Sequence, residues 1–413
     1  MEKISIQNFA GIKEMDFEFK SINILIGPQG SGKSVTVKLH YFFVSFFQEL
    51  VGNLLLGGTK KDLDSNQKDK FYQFFPRNTW PEGQFRIDYY FNEFHLYVER
   101  LDNQIKFDYS DKLKKAIAKI RKQHLDFLKL EDLTSLNPLK RRQQSRRNIR
   151  HLVSNEIGDE LDIIQYFIPA GRSFFANISA NIFTIISDNK QSFDPFLIGF
   201  GADYEQLKKW YKDGLIENED IAVDKLISEI LNGDYIVEKD EDYLVHADKR
   251  KIPLSKASSG QQETLPLVVL LRVLSYNIDA VERTIIYIEE PEAHLFPDAQ
   301  NAFVRLLARV FNYEDLNFKI FVTTHSPYLL SSFNNLLEAG RLSEIKPEKA
   351  KQISKIVPEE EQLLPGLLTA YSISNGKMEN LVDPETNLIK QTVLDNISND
   401  IAIKFGKLLD IEF

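Results

Sequence analysis

Apolar and polar residues alternate along KISIQNFAGI and MDFEFKSINILIG, which predicts a hairpin followed by a buried strand at Ile22–Ile26. The next apolar stretch, VTVKLHYFFVSFFQELVGNLL, has helical spacing. Three strand-like runs follow: FRIDYYFN, FHLYVER and IKFDYS. From about residue 111 to 165 the chain turns to charged helix, with Leu113, Ile117, Ile120 and Leu125 as a narrow apolar stripe, the pattern of an insertion or arm. IIQYFIPAG predicts a strand running into a turn, and residues 203–256 are mixed and acidic. A second dense apolar block runs from Lys256 to about Phe333. The C-terminal stretch predicts a hairpin around Asn375-Gly376 and an amphipathic helix bearing Leu394, Ile397, Ile401 and Leu408. There are no internal repeats, low-complexity segments or Pro/Gly-rich linkers, so nothing argues for independent domains.

Composition narrows the class. The chain has 413 residues, 43% of them hydrophobic, with 30 Phe and 16 Tyr, ample for a large core. No uncharged apolar run reaches the length of a membrane span, and MEKISIQNF lacks the apolar core of a signal peptide. The absence of cysteine excludes disulfides and Cys-based zinc sites. The expectation is a soluble cytoplasmic protein. A net charge of −9 means that nucleic-acid binding would need a local basic patch.

Between the predicted strand and helix lies GPQGSGKS. Gly27, Gly32, Lys33 and Ser34 meet the pattern G-x-x-x-x-G-K-S. Glycines let the backbone curl so that its N–H groups point inward, and the helix that follows presents its positive end to the same point. Such a loop cradles a polyphosphate, with Lys33 on the β and γ phosphates and the Ser34 hydroxyl on Mg²⁺. The nucleotide-binding candidates here are Gly27, Pro28, Gln29, Gly30, Ser31, Gly32, Lys33, Ser34 and Val35.

The second block supplies the rest of a hydrolytic site. TIIYIEEPEAHL is a β-rich run ending in two carboxylates; in a buried parallel strand beside the loop, Glu289 would support the Mg²⁺ shell, and Glu290 would be base or positioner for the attacking water. Adjacent residues point to opposite sides of a strand, which separates the two tasks. KIFVTTHSPYLL is a further strand ending at His325, placed to bond the γ-phosphate or hold the base. Ahead of both, Ser258, Ser259, Gly260 and Gln261 form a polar turn at the start of an apolar helix, a second anion-binding geometry that suggests a second subunit closing over the nucleotide.

In this order, the motifs resemble ABC-type ATPases of the SMC and DNA-repair group, and more closely the OLD-like ATPases of bacterial and phage-defence systems. ASSGQQE (Ala257–Glu263) is similar to the signature motif, with Ser259 in place of a glycine; IYIEEPEAHLFP to the Walker B and D-loop, with Glu289 for the commoner Asp; FVTTHSPYLL to the switch histidine. YFIPAGRS is similar to a segment near the nucleotide, with Arg172 and Gln165 as Q-loop candidates and Gln73 a weaker one. The resemblance implies an α/β ABC-type P-loop NTPase, a mixed sheet flanked by helices with a helical arm insertion. It would be one ATPase unit over 1–413: an N-terminal lobe (1–104), the arm (105–165), a connecting region (166–256), a signature, Walker B and switch lobe (257–345), and a C-terminal hairpin and helix (346–413). It also implies a homodimer, or a higher homo-oligomer, with ATP and Mg²⁺ sandwiched between Gly27–Ser34 of one chain and Ser258–Gln261 of the other. Glu290 and His325 would be catalytic, Ser34 and Glu289 metal ligands, and Arg172 a nucleotide contact.

OLD-like nucleases carry a Toprim domain after the ATPase, and only about 80 residues follow the His strand here. The one D-x-D, Asp240 and Asp242, lies in an acidic, loop-like run. The chain is therefore expected to be the ATPase alone, with any nuclease or toxin a separate effector protein. Two functions remain: a sensor and scaffold of anti-phage defence, or a DNA-maintenance ATPase that clamps nucleic acid. The feature that discriminates is LKRRQQSRRNIRH, with Lys140, Arg141, Arg142, Arg146, Arg147 and Arg150 and no acid between them. In a helix Arg142, Arg146 and Arg150 share a face that tracks phosphates, binds an acidic protein, or is simply solvated.

Overall fold

Strands β1 (Glu2–Phe9) and β2 (Ile12–Glu18) pair antiparallel across a tight turn in which Ala10 and Gly11 both take positive φ, 48° and 83°. Their alternation buries Ile4, Ile6, Met15 and Phe17 and leaves the other face polar. The sheet extends through β4 (Phe85–Phe91), β5 (Phe94–Leu101) and β6 (Gln104–Tyr109), in the order β2-β1-β4-β5-β6. The computed structural model describes residues 2–102, 104–129, 137–158, 163–173, 175, 194–212, 220–238, 241–275, 283–313, 317–390, 403, 404 and 407. The expected amphipathic helix of Leu394, Ile397, Ile401 and Leu408 lies outside them.

A second sheet has six strands. It places β3 (Ile22–Ile26) between β12 (Phe318–Thr324) and β13 (Leu368–Ser374), with β11 (Arg283–Glu289) and β7 (Ile163–Ile168) beyond β12 and β14 (Lys377–Asn380) on the other flank. All neighbours are parallel except β13 and β14, which form the hairpin expected at Asn375-Gly376. The acidic strand is therefore not beside the loop strand, as expected from sequence; the His strand stands between them.

Helix α1 (Lys33–Leu55) packs between the two sheets. Phe42, Phe43, Phe46 and Phe47 join one core with the antiparallel sheet and with Leu25, Tyr287, Phe321 and Ile373 of the parallel one. The opposite residues of the same strands, Ile24, Ile286, Ile288 and Val322, enter a second core. Burial on both faces explains why these strands are apolar throughout. In chain order the further helices are α2 (Lys60–Phe74), α3 (Asp111–Phe127), α4 (Pro138–Ile157), α5 (Pro195–Lys212), α6 (Ile221–Leu231), α7 (Ser259–Leu274), α8 (Pro297–Phe311) and α9 (Pro327–Ile345). Of these, α5 to α9 line the second core.

An ionic knot joins the layers. Glu2 of β1 pairs with Lys319 at the start of β12 and with His40 of α1, and accepts the Tyr89 hydroxyl of β4 at 2.9 Å. His40 is fully buried and Lys319 only 3% exposed.

The helical pair α3 and α4 belongs to the first core through Leu113, Ile117, Ile120, Ile149, Val153 and Ile157, so it lies against α1 instead of standing away as an arm. Leu125 is exposed and His124 takes its place in the buried stripe, because the 3.6-residue period passes through 113, 117, 120 and 124. The strand β6 places the start of the helical insertion at Asp111, not 105. The acidic run holding Asp240 and Asp242 is a hairpin of β8 (Asp234–Glu238) and β9 (Glu241–Val245), with β10 (Lys251–Pro253) as third strand. Asp242 pairs with Lys208 of α5 and accepts the Tyr235 hydroxyl at 2.8 Å; Asp240 is outside the described residues.

Candidate functional site

The parallel strands end together: Thr324 lies beside Ile26, and Thr323 beside Glu289. Ligands of such sheets bind at these carboxyl ends. From Ile26 the chain curls through Gly27–Gly32 into α1. A β-carbon on Gly27 would lie 2.0 Å from the carbonyl oxygen of Ile373, and Gly32 has a φ of 102°, so neither position accepts another residue without strain. Gly32 is the N-cap, which offers no side-chain oxygen, and the first turn of α1 contains no acid. Its unpaired N–H groups and positive end are thus left for an anion.

Lys33, 4% exposed, reaches back over the loop and donates to the carbonyls of Gly27 (2.7 Å) and Pro28 (2.9 Å). Its Nζ lies 3.4 Å from His325 Nε2, which lies 3.0 Å from Glu290 Oε1. Lysine, histidine and glutamate thus form one continuous line across three strand ends. Burial depresses the Lys33 pKa, against the opposing pull of Glu290, Glu292 and Glu289.

The two carboxylates are separated differently from the expectation. The strand ends at Glu289, and Glu290 takes the left-handed conformation, φ 45°, with its N–H donating to Thr323 O at 2.9 Å. This kink, and not strand alternation, turns Glu290 toward His325. Glu289 stays buried and receives the Ala170 N–H at 3.4 Å. Glu292 accepts the His325 N–H at 2.6 Å and so fixes the end of β12.

Among the described residues, the buried polar atoms here that lack a hydrogen-bond partner include Glu289 Oε1, Glu292 Oε2, Thr323 Oγ1 and Ser31 Oγ. Buried polar groups are almost always satisfied, so these mark positions offered to a polar ligand. Their chemistry suits the expected groups: a hydroxyl on the loop at Ser31 and a carboxylate oxygen at Glu289, at the carboxyl end of β11. Among the described residues no three His, Asp or Glu side chains cluster as a metal cage.

The expected signature is built on α7. Ser258 is the N-cap and Gln261 completes a capping box: Ser258 Oγ accepts the Gln261 N–H, and Gln261 Oε1 accepts the Ser258 N–H at 3.1 Å. A helix cap therefore explains two residues of Ser-Ser-Gly-Gln. Ser258 and Ser259 are exposed, and among the described residues none of the four bonds to the loop of the same chain. Gly260 lies against the segment after Glu290; a β-carbon there would be 3.0 Å from His294 O.

Arg172, expected to touch nucleotide, is instead fully buried and spends its N–H groups on protein oxygens: Pro169 O (3.0 Å), Glu263 O (3.0 Å), Glu289 O (2.8 Å) and Glu290 O (3.3 Å). Of the other Q-loop candidates, Gln165 accepts the Tyr287 hydroxyl within the sheet at 2.7 Å, and Gln73 is exposed on α2. Sequence reasoning gave no role to Glu263 and Glu292. A signal existed for Glu263: a carboxylate entering a helix that continues TLPLVVLLRVL must be buried and therefore paired.

Residues 202–330 match the model of the AAA ATPase domain. No curated protein matches the sequence. Solved structures with a similar fold include the SMC head domain from Thermotoga maritima, at 13% identity and a TM-score of 0.36 over 92% of this chain and 97% of that one. An SMC head bound to the C-terminal winged-helix domain of ScpA is 12% identical, TM-score 0.41, over 92% and 95% of the two chains. An SMC head with an extended coiled coil, bound to the C-terminal domain of ScpA from Pyrococcus furiosus, is 12% identical, TM-score 0.38, over 98% and 100%. Among the described residues no helix is long and apolar enough to cross a membrane. The chain is an ATPase with a mixed α/β fold, and residues 202–330 are the part that matches the AAA ATPase domain.

Proposed function

We propose that the chain is a nucleotide-driven switch of the ABC type, in which ATP closes two copies on each other and hydrolysis releases them. The observation that carries this is the line Lys33–His325–Glu290, with separations of 3.4 and 3.0 Å, at the carboxyl ends of the parallel strands. Lys33 and the start of α1 bind the phosphates, Glu290 takes the proton from water, and His325 holds Glu290 toward the loop. Mg²⁺, held by Ser34 and Glu289, would supply neutralisation of phosphate charge. The exposed Ser258 and Ser259 at the start of α7 support a composite site, since they do not bond to their own loop and remain open to the phosphates of a partner copy.

The resemblance to OLD-like ATPases points this switch toward anti-phage defence: a cytoplasmic sensor and scaffold controlling a separate nuclease or toxin. One observation favours the second reading, direct nucleic-acid binding. The helices α3 and α4 hold twelve Lys and Arg against three acids in a chain of net charge −9. On α4, Lys140, Arg141, Arg142, Arg146 and Arg147 are exposed, and among the described residues no acid pairs with them.

The test of the switch is Glu290→Gln. It is expected to bind ATP normally, lose turnover and accumulate as a dimer in ATP and Mg²⁺, read by size exclusion with light scattering. Mixing Lys33→Ala with Ser258→Arg chains is expected to restore part of the activity, since one interface then combines two intact halves. Wild-type turnover in the Glu290→Gln protein would refute the base assignment, and a strict monomer in saturating ATP would refute the sandwich.

A further inference from the structure

We infer that Arg172 and Glu263 form a buried strut that fixes the backbone at Glu290 and couples the start of α7 to the hydrolytic step. Glu263 lies one turn inside α7, on the helix that begins with the exposed Ser258 and Ser259. Its carboxylate, only 4% exposed, accepts three successive backbone N–H groups, from Gly171 (2.9 Å), Arg172 (2.9 Å) and Ser173 (2.7 Å). Its own carbonyl accepts Arg172 Nε at 3.0 Å. The guanidinium then spans to the end of β11, with Nη1 on Glu289 O and Nη2 on Glu290 O. One side chain thus bridges the signature helix and the peptide units of both Walker B carboxylates.

The bridge matters because of what it holds. Glu290 is a non-glycine residue in left-handed backbone, a strained conformation that persists only where the surroundings over-determine it. Here Thr323 O holds its N–H and Arg172 Nη2 its carbonyl. If the Arg172 clamp is lost, the kink relaxes toward extended strand, and the carboxylate swings away from His325. Lys33 and the loop make no bond to Arg172 or Glu263 among the described residues, so the strut is expected to act on turnover more than on nucleotide affinity. Burial opposes the charge on Glu263, yet Arg172 and the N–H groups of Ser173 and Arg172 outweigh it and hold its pKa below the usual range, so the strut is ionic at neutral pH.

The inference rests on Glu290 being the base, and the experiment separates the two. Glu263→Gln places an amide N–H₂ where one oxygen received backbone N–H groups. Arg172→Lys offers three donors to acceptors spread over a fork. Both are compared with Glu290→Gln for steady-state turnover, KM and equilibrium binding of a fluorescent ATP analogue. The expected result is a fall in kcat of about 100-fold, the scale of a displacement of about 1 Å at a reacting group, with KM and analogue affinity within about 3-fold of wild type. Glu263→Asp, which keeps the charge and shortens the reach, is expected to recover part of the loss. Wild-type kcat in Glu263→Gln would overturn the inference, as would a parallel loss of affinity and kcat, which marks a merely structural pair. Should Glu290→Gln itself turn over normally, the base assignment falls instead. If Glu263→Gln folds poorly, Arg172→Lys and Glu263→Asp decide by the same split between kcat and affinity.

Discussion

Replacing Glu2 by glutamine tests whether the ionic knot between the two sheets is a structural necessity. The substitution keeps the shape but takes the anion from Lys319, 3% exposed, and from His40, fully buried. Breaking a buried ion pair from one side costs about 3–5 kcal/mol, because the remaining charge stays desolvated. An unfolding entropy of about 2.1 cal/mol/K per residue, taken over the whole chain, converts this to a fall in melting temperature of about 3–6 °C. The double variant Glu2→Gln/Lys319→Met removes both charges and is expected to recover most of the loss. Differential scanning calorimetry of parent, single and double variants closes the cycle. A single variant melting within about 1 °C of the parent, or a double variant no better than the single, would refute the reasoning.

The knot also sets a pH dependence. Burial alone would raise the Glu2 pKa, but Lys319 and His40 outweigh it and hold it well below the ordinary 4.5; burial depresses His40 below the ordinary 6.5. In both cases the unfolded chain binds protons that the folded chain resists. The stability these groups contribute is therefore complete above about pH 6.5 and lost as pH falls, first through His40 and then, below about 4.5, through Glu2. Glu2→Gln removes the second of these steps from a profile of melting temperature against pH.

Three other outcomes follow from the same geometry. Lys33→Ala is expected to abolish ATP binding, measured by calorimetric titration, because it removes the cation that reaches over the loop; binding within about 10-fold of wild type would contradict its role. Gly260→Ala forces a methyl against His294 O, where a contact of 3.0 Å is tighter than nine in ten real ones. It is expected to reduce ATP-dependent dimerisation and turnover while leaving nucleotide affinity of the single chain intact, and wild-type dimerisation by light scattering would count against the packing of α7 on that segment. Changing Arg142, Arg146 and Arg147 together to Glu is expected to leave basal ATPase within about 2-fold and to weaken binding of a DNA duplex, with a shallower dependence of affinity on salt. Unchanged duplex binding would make the basic face a solvated surface or a protein-docking one, the latter read by loss of co-purifying effector.

The parts of this molecule legible in the sequence are those in which local pattern and tertiary environment agree. The strand periods at β1, β2 and β4–β6, the Asn-Gly turn of the last hairpin and the loop from Gly27 to Ser34 each follow from chemistry within a few residues. Strand neighbours could not be read, because whether β11 or β12 lies next to β3 depends on long-range packing that all three apolar strands satisfy equally. Arg172 was misassigned for a related reason. A basic residue just after a strand tip suits phosphate and buried carbonyls alike, and only the position of Glu263, 91 residues later in the chain, decides between them. The direction of Glu290 depended on a backbone kink that strand alternation does not foresee.

The position of β3 has a consequence for synthesis on the ribosome. The antiparallel sheet is complete within the first 109 residues, so it can assemble while most of the chain is still unmade. By contrast β3, at 22–26 with four apolar residues and Asn23, pairs with β12 and β13, and β13 begins at residue 368. At the usual elongation rates of about 5–20 residues per second, the roughly 340 residues between them take about 17–70 s to emerge. Until β12 has emerged INILI has two open edges, and until β13 follows it one edge stays open, the condition under which nascent strands pair with the wrong partner. The strand that leads into the Gly27–Ser34 loop is thus among the first to be translated and among the last to be seated, and the need for chaperone protection should fall on this one strand.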